Sequence, residues 1–135
     1  MNFTLKNTKV ERLLLAPEPR EAGGLNFCNA LAEDDSKRFL VVFEFVMSLG
    51  DAFSLETTYL AEFEADEPIV EARDNKLLTV NAPAIAYPFL RAYIATVLLN
   101  SGLPPVMLPT FNFVEFAKQQ EQNDTVKPLP HSQDQ

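Results

Sequence analysis

The sequence is poor in the residue types from which most catalytic and metal sites are built. Its 135 residues include one cysteine, Cys28, one histidine, His131, and no tryptophan. A single cysteine cannot form an internal disulfide or supply the cysteine ligands of a zinc site. One histidine in a polar terminal segment is a poor basis for a Ser/His/Asp or Cys/His nucleophilic site. We therefore predict that the chain is not an enzyme and uses neither cofactor nor metal.

Positive charge and glycine are scarce too. Eleven Lys and Arg residues face 19 Asp and Glu residues, giving a net charge of −8 and a pI near 4.6. Nucleic acids and anionic membranes bind basic patches, so neither is an expected partner. Gly23-Gly24 lacks the sequence context of a phosphate-binding loop. The first residues lack the three regions of a signal peptide, which leads us to expect a cytoplasmic protein.

Apolar residues make up 47% of the chain, enough for one core. The length suits a single domain, which we place at residues 1–122. The remaining residues, 123–135, are polar and contain prolines, and we predict that they form a disordered tail.

Alternation of apolar and polar residues predicts four strands in the first half of the chain. In the first, Phe3, Leu5 and Asn7 are expected to share one face. The third and fourth are joined by a short turn at Leu49-Gly50-Asp51 and should pair antiparallel. The four predicted strands cover residues 2–15, 25–31, 38–49 and 55–63.

Two helices are predicted to follow the strands. The first covers residues 82–99, with Pro88 in its first turn, and ends at Asn100-Ser101-Gly102. The second is capped by Asn112 and extends to about Gln122. Residues 69–80 are ambiguous and could end a strand and then link it to the helix. The predicted class is α+β, a four-stranded antiparallel sheet followed by a long and a short helix packed on one face.

The long helix is apolar almost all the way round, with Arg91 as its only charged residue. Its length is compatible with a membrane span, but its two prolines, two tyrosines and acidic flanks argue against one. The preferred interpretation is burial against a sheet on one side and a copy of the helix on the other.

Other sequence features allow two interpretations each. Glu56, Glu62 and Glu64 on one strand face are most simply a solvated surface. The proline-rich loop from Leu103 to Phe111 carries more apolar residues than a loop readily buries, which favours a binding surface. Cys28 is most simply a buried small residue.

The segment YPFLRAYIATVLLNSGLPPVMLPTFNFVEFAKQQ resembles the C-terminal half of the bacterial SecB protein-export chaperones. The segment MSLGDAFSLETTYLAEFEADEPI is similar to the Ser-Leu-Gly turn and following strand of that family. The similarity spans roughly residues 3–122. It implies a cytoplasmic homotetramer, a dimer of dimers, that binds unfolded polypeptides without ATP and delivers them to the export motor SecA.

The resemblance also implies roles for particular residues. The expected client-binding residues are Phe27, Leu103, Val106, Met107, Leu108 and Phe111. The expected SecA-docking residues are Glu11, Leu60 and Glu62, and the expected oligomer contacts are Leu90, Tyr93, Ile94, Val97 and Leu98.

The sequence departs from the family pattern in two places. Leu15 or Ala16 stands where a second docking acid is usual, and the loop Pro17–Gly24 is short and lacks an aromatic residue. One alternative is therefore a SecB-like chaperone dedicated to an antitoxin or another single client. A second is an oligomeric interaction protein whose sheet binds one folded partner.

Overall fold

The structure, a computed structural model, describes residues 2–20, 24–32, 34–50, 52–69, 76–106, 108, 110–116, 118 and 127–128. Contacts divide the chain into a sheet unit, residues 1–70 with 126–135, and a helical unit, residues 71–125. The sheet unit contains β1 (Phe3–Ala16), β2 (Gly24–Leu31), β3 (Arg38–Leu49), β4 (Phe53–Ala65) and β5 (Lys127–Pro128). The helical unit contains a π-helical turn (Leu77–Asn81), α1 (Ala82–Asn100) and a short helix that includes residues 113–116.

The strand order in the sheet is β1-β4-β3-β2-β5. The first four strands pair antiparallel, whereas β5 pairs parallel with the end of β2. The predicted class of four antiparallel strands followed by a long and a short helix is confirmed. The fifth strand was not predicted. In it, Lys127 pairs with Ala30 and Pro128 pairs with Leu31. The other residues of the predicted disordered tail lie outside the described part of the chain.

The two central strands each have one buried face, as the alternation predicts. Phe39, Val41 and Phe43 of β3 are buried, and Phe63 of β4 is fully buried beside them. The Phe39 and Phe63 rings stack with centroids 5.2 Å apart, and the Phe3 ring stands edge-on to both. Burying such large rings dominates the energetics of a small core. We call this the inner face of the sheet.

The opposite side of the sheet, the outer face, carries the even-numbered residues of β4. The prediction that Asn7 shares a face with Phe3 and Leu5 is wrong. The pairing of β1 with β4 skips a residue after Leu5 and another after Val10, so Asn7 lies opposite Glu62. Each extra residue forms a β-bulge, which reverses the face of every residue after it.

Helical structure begins earlier than predicted. The π-helical turn starts at Leu77 and runs directly into α1, so residues 76–80 of the ambiguous segment are helix rather than linker. The N–H of Ala82 donates to the carbonyl oxygen of Leu77, five residues back. Pro88 consequently lies inside α1, not in its first turn, and leaves one carbonyl without its usual amide donor.

The predicted end of the long helix is confirmed. Gly102 has a φ of +79°, a left-handed conformation that glycine adopts without steric cost. The N–H of Leu103 donates to the carbonyl of Leu98 at 2.9 Å, and that of Gly102 to the carbonyl of Leu99 at 3.2 Å. This pair of bonds is a Schellman motif, which satisfies carbonyls that the helix end would leave free.

The long helix has one buried stripe and an exposed apolar face. Leu90, Ile94 and Leu98 recur every four residues and are fully buried. Phe89 and Leu99 are 48% and 64% exposed. From Leu77 to Asn100 the helix is long and apolar enough to cross a membrane, with a mean hydropathy of 1.4 over its most apolar window. Core helices of soluble proteins meet the same criteria.

Candidate functional site

The three residues predicted to dock SecA lie together on the outer face of the sheet. Glu11, Leu60 and Glu62 line one open depression with a volume of about 420 Å³. The strand register explains their proximity, because β1 and β4 are neighbours and Leu60 lies opposite Lys9. The other lining residues are Asn7, Lys9, Ala32, Arg38, Phe39 and Leu40.

Arg38 forms an ion pair with Glu62, one of the carboxylates that line this depression. Arg38 Nε lies 3.0 Å from Glu62 Oε2, and Arg38 Nη1 lies 3.9 Å from Asp34 Oδ1. The hydrogen bond and charge of Glu62 raise the pKa of the Arg38 guanidinium above its ordinary value, with smaller contributions from the nearby aspartates. Arg38 therefore remains fully charged. Among the described residues, neither Glu11 nor Lys9 has an ion-pair partner.

The other outer-face carboxylates of β4 are paired as well. Glu56 binds both Arg12 of β1 and Arg20 of the loop after β1. Lys6 Nζ lies 3.8 Å from Glu64 Oε1. The three carboxylates predicted to form a solvated surface, Glu56, Glu62 and Glu64, are thus each paired with a neighbouring Lys or Arg. Pairs this exposed contribute little stability but change what a charged partner meets.

Aromatic residues form a cluster in the helical unit. The Tyr87 ring stands edge-on to those of Phe111 and Phe113, at 5.3 and 5.7 Å between centroids. Phe116 stacks on Phe113 at 6.4 Å, and Arg91 lies 5.8 Å from the centre of the Tyr87 ring. Burial raises the pKa of the Tyr87 hydroxyl, and the positive charge of Arg91 opposes that rise.

The Asn112 cap fixes the backbone that carries this cluster. Asn112 Oδ1 accepts hydrogen bonds from the N–H groups of Val114 and Glu115, at 3.1 and 3.2 Å. The cap was predicted, but Tyr87, Phe113 and Phe116 were not singled out as functional. The close spacing of phenylalanines in TFNFVEF was the available signal.

The predicted client-binding residues differ in accessibility. Leu103, Val106 and Phe111 are half-buried, whereas Leu108 is buried, at 5% exposed. Phe27 is also buried, in the sheet unit, with its ring 6.1 Å from that of Phe43. Met107 lies outside the described residues.

The predicted oligomer contacts are mostly covered. Leu90, Ile94 and Leu98 are buried within the chain, so a second copy cannot reach them on this surface. Tyr93 and Val97 are half-buried. The large apolar side chains that α1 does expose are Ile85, Phe89 and Leu99.

The described residues contain no group of three or more His, Cys, Asp or Glu that could hold a metal ion. Two neighbouring residues of β2, Cys28 and Asn29, carry polar groups inside the sheet unit. Asn29 on β2 is 3% exposed, and its buried Oδ1 has no hydrogen-bond partner within the part of the chain that the structure describes. Cys28, predicted to be buried, is half-buried.

Comparison with known families gives one match that covers most of the chain. The model described as "Preprotein translocase subunit SecB" matches residues 23–124. Strand β1, and with it Glu11, lies outside the matched range.

Curated relatives are similar over about half of the chain. A protein-export protein SecB of Anaplasma phagocytophilum is 38% identical over 72 residues, which are 52% of this chain and 46% of the relative. A second, of Rhodospirillum centenum, is 32% identical over 53% of this chain and 43% of the relative. The chain thus spans less than half the length of these two relatives.

Solved structures share the fold. A SecB-like chaperone of Mycobacterium tuberculosis in complex with an antitoxin peptide superposes with a TM-score of 0.60. It is 15% identical, over 81% of this chain and 89% of that one. A protein of unknown function from Streptococcus agalactiae has a TM-score of 0.59 and 16% identity, over 82% and 98% of the two chains.

Proposed function

Because the chain belongs to the SecB family of preprotein translocase subunits, we propose that it is an ATP-independent chaperone that holds unfolded precursor polypeptides for export. The observation that carries the proposal is the family match over residues 23–124. SecB is a family of chaperones, not enzymes, in agreement with the prediction that the chain is not an enzyme.

Holding a client requires only selective binding of the unfolded state. A protein that binds the unfolded chain lowers its free concentration and so slows aggregation, without chemical catalysis. Apolar side chains that remain partly exposed are the means of binding. In our proposal these are Leu103, Val106 and Phe111, with Phe116 of the aromatic cluster; Met107 remains a predicted member. Phe27 and Leu108 are buried and are therefore not among these binding side chains.

Oligomerisation would multiply these contacts. We propose a homotetramer, a dimer of dimers, in the cytoplasm. The exposed Ile85, Phe89 and Leu99 of α1 are apolar area available to another copy. Several binding surfaces on one particle hold a long client far more tightly than one surface does.

For delivery, we propose that SecA docks on the outer-face depression. The clustering of Glu11, Leu60 and Glu62 in that depression supports this. A competing function is a chaperone dedicated to one antitoxin, favoured by the fold shared with the Mycobacterium tuberculosis chaperone bound to an antitoxin peptide. A dedicated chaperone would protect one client and fail with unrelated ones.

The chaperone function is tested by light scattering from an aggregating, chemically denatured protein. We expect the wild-type protein to suppress aggregation and Phe111→Ala to suppress it less. Leu14→Ala is the matched control, because Leu14 is an exposed apolar residue of the sheet unit at 40% exposed. The proposal fails if wild type does not suppress aggregation, and the assignment of Phe111 fails if both variants behave alike.

A further inference from the structure

β2 is the last of the four antiparallel strands, and a later segment of the same chain is seated on it. The strand order is β1-β4-β3-β2-β5. On one side β2 pairs with β3 over its whole length, from Gly24 to Leu31. On the other side, which we call the β2 edge, Lys127 lies opposite Ala30 and Pro128 opposite Leu31. The β2 edge therefore accepts an added strand, and in this structure the chain itself supplies it.

β5 is a weak occupant of the β2 edge. It has two residues, whereas strands usually have about 3–10, and it pairs parallel, which is slightly less stable per residue than antiparallel pairing. Proline has no backbone N–H, so Lys127 is the one backbone donor within β5. The pairing must also offset the entropy lost when the chain between β2 and β5 is closed into a loop. A longer strand with more donors would displace β5.

The β2 edge is a preformed template for such a strand. Pairing with β3 holds the backbone of β2 extended, and Leu25 and Phe27 are buried and anchor the strand in the sheet unit. A segment that adds to a rigid edge loses its own freedom but does not have to order the edge as well. Because the main-chain hydrogen bonds of an added strand do not depend on its side chains, the edge suits extended polypeptides of many sequences.

We propose that an extended segment of an unfolded client adds to the sheet at the β2 edge, and that β5 is an internal competitor that must first leave Ala30 and Leu31. The proposal rests on the proposed chaperone function and adds a main-chain mode of recognition and the segment that limits affinity. Because β5 belongs to the same molecule, its effective concentration is high and it reoccupies the edge whenever the client leaves. β5 thus weakens client binding and favours release.

Variants of β5 in the full chain test the competition. Lys127→Pro removes the last backbone donor of β5. Lys127→Gln is the matched control, because it removes the same charge but keeps the N–H. We expect Lys127→Pro to bind client about two- to tenfold more tightly than Lys127→Gln, the fold-change that corresponds to one competing hydrogen bond. Pro128→Val adds a donor and a residue that favours strands, so it should bind client less tightly than wild type does.

The client in this test is a labelled eight-residue peptide of alternating threonine and valine. These residues favour an extended backbone and carry no charge. The matched control peptide has the same sequence with every amide N-methylated, so it keeps the side chains but has no main-chain donor. We expect the first peptide to bind and the N-methylated peptide not to bind.

Nuclear magnetic resonance and amide hydrogen exchange report on the edge itself. As the peptide saturates the wild-type protein, the Lys127 amide should exchange faster and the Ala30 and Leu31 amide signals should shift.

Equal affinities for Lys127→Pro and Lys127→Gln, or unchanged exchange at Lys127 on saturation, would overturn the competition. Equal binding of the N-methylated peptide, or failure of the unmodified peptide to bind any variant, would overturn docking through the main chain. None of these results contradicts the chaperone proposal, which aggregation suppression tests separately.

Discussion

Replacing Asn112 by alanine should loosen the short helix that carries Phe113 and Phe116. The Asn112 side chain caps this helix by accepting from the N–H groups of Val114 and Glu115. Alanine keeps the backbone bond from the Phe116 N–H to the Asn112 carbonyl but removes both side-chain bonds. Loss of such a cap costs about 1 kcal/mol, within a range of roughly 0.5–2 kcal/mol.

Amide hydrogen exchange measures this cost where it arises. A change of about 1 kcal/mol multiplies a local opening constant about fivefold. We therefore expect the Val114 and Glu115 amides to exchange about five times faster in Asn112→Ala. Asn112→Asp keeps an acceptor and places negative charge at the helix N-terminus. In this variant the two amides should therefore exchange as slowly as in the wild-type protein. Equal exchange in wild type and Asn112→Ala, or equally fast exchange in both variants, would refute the capping argument.

Three further predictions concern the helix end, the loop after β1 and a buried hydroxyl. Gly102→Ala should lower the free energy of unfolding in urea by about 1–2 kcal/mol, because its φ is +79° although no atom lies within 4 Å of the added Cβ. Glu56→Gln should speed amide exchange at Arg20 and change global stability by less than about 1 kcal/mol, because exposed ion pairs are weak. The raised pKa of Tyr87 means that the folded state keeps its proton above pH 10.0, where the unfolded state loses it. The free energy of unfolding should thus fall as the pH rises past 10.0, and Tyr87→Phe should remove that component.

Local patterns were enough to predict the sheet and the helix end. The alternation in β3 and β4 and the sequence Asn100-Ser101-Gly102 each specify structure over a few residues. The bulges of β1 could not be seen in this way, because each adds one polar residue to a strand that is already exposed. The early start of the helix was not predicted, because Pro83 and Pro88 favoured a helix that begins near residue 82. The structure instead has a π-helical turn that begins at Leu77.

The candidate site needed more than local pattern. Only the family resemblance predicted that Glu11 and Glu62 lie close together, because their proximity depends on which strands are neighbours. The pairing of Glu62 with Arg38 depends further on the register between β3 and β4, in which Arg38 lies opposite Glu64 and Leu40 opposite Glu62. No periodicity along one segment contains that information.

We propose that the protein binds unfolded chains and does so as an oligomer. The most direct measurement compares binding of one labelled polypeptide in its native and its denatured, reduced forms, with particle mass determined in the same solution. We expect tight binding of the denatured form alone, by a particle of four copies. Preference for the native form, or a monomer that binds neither, would contradict it.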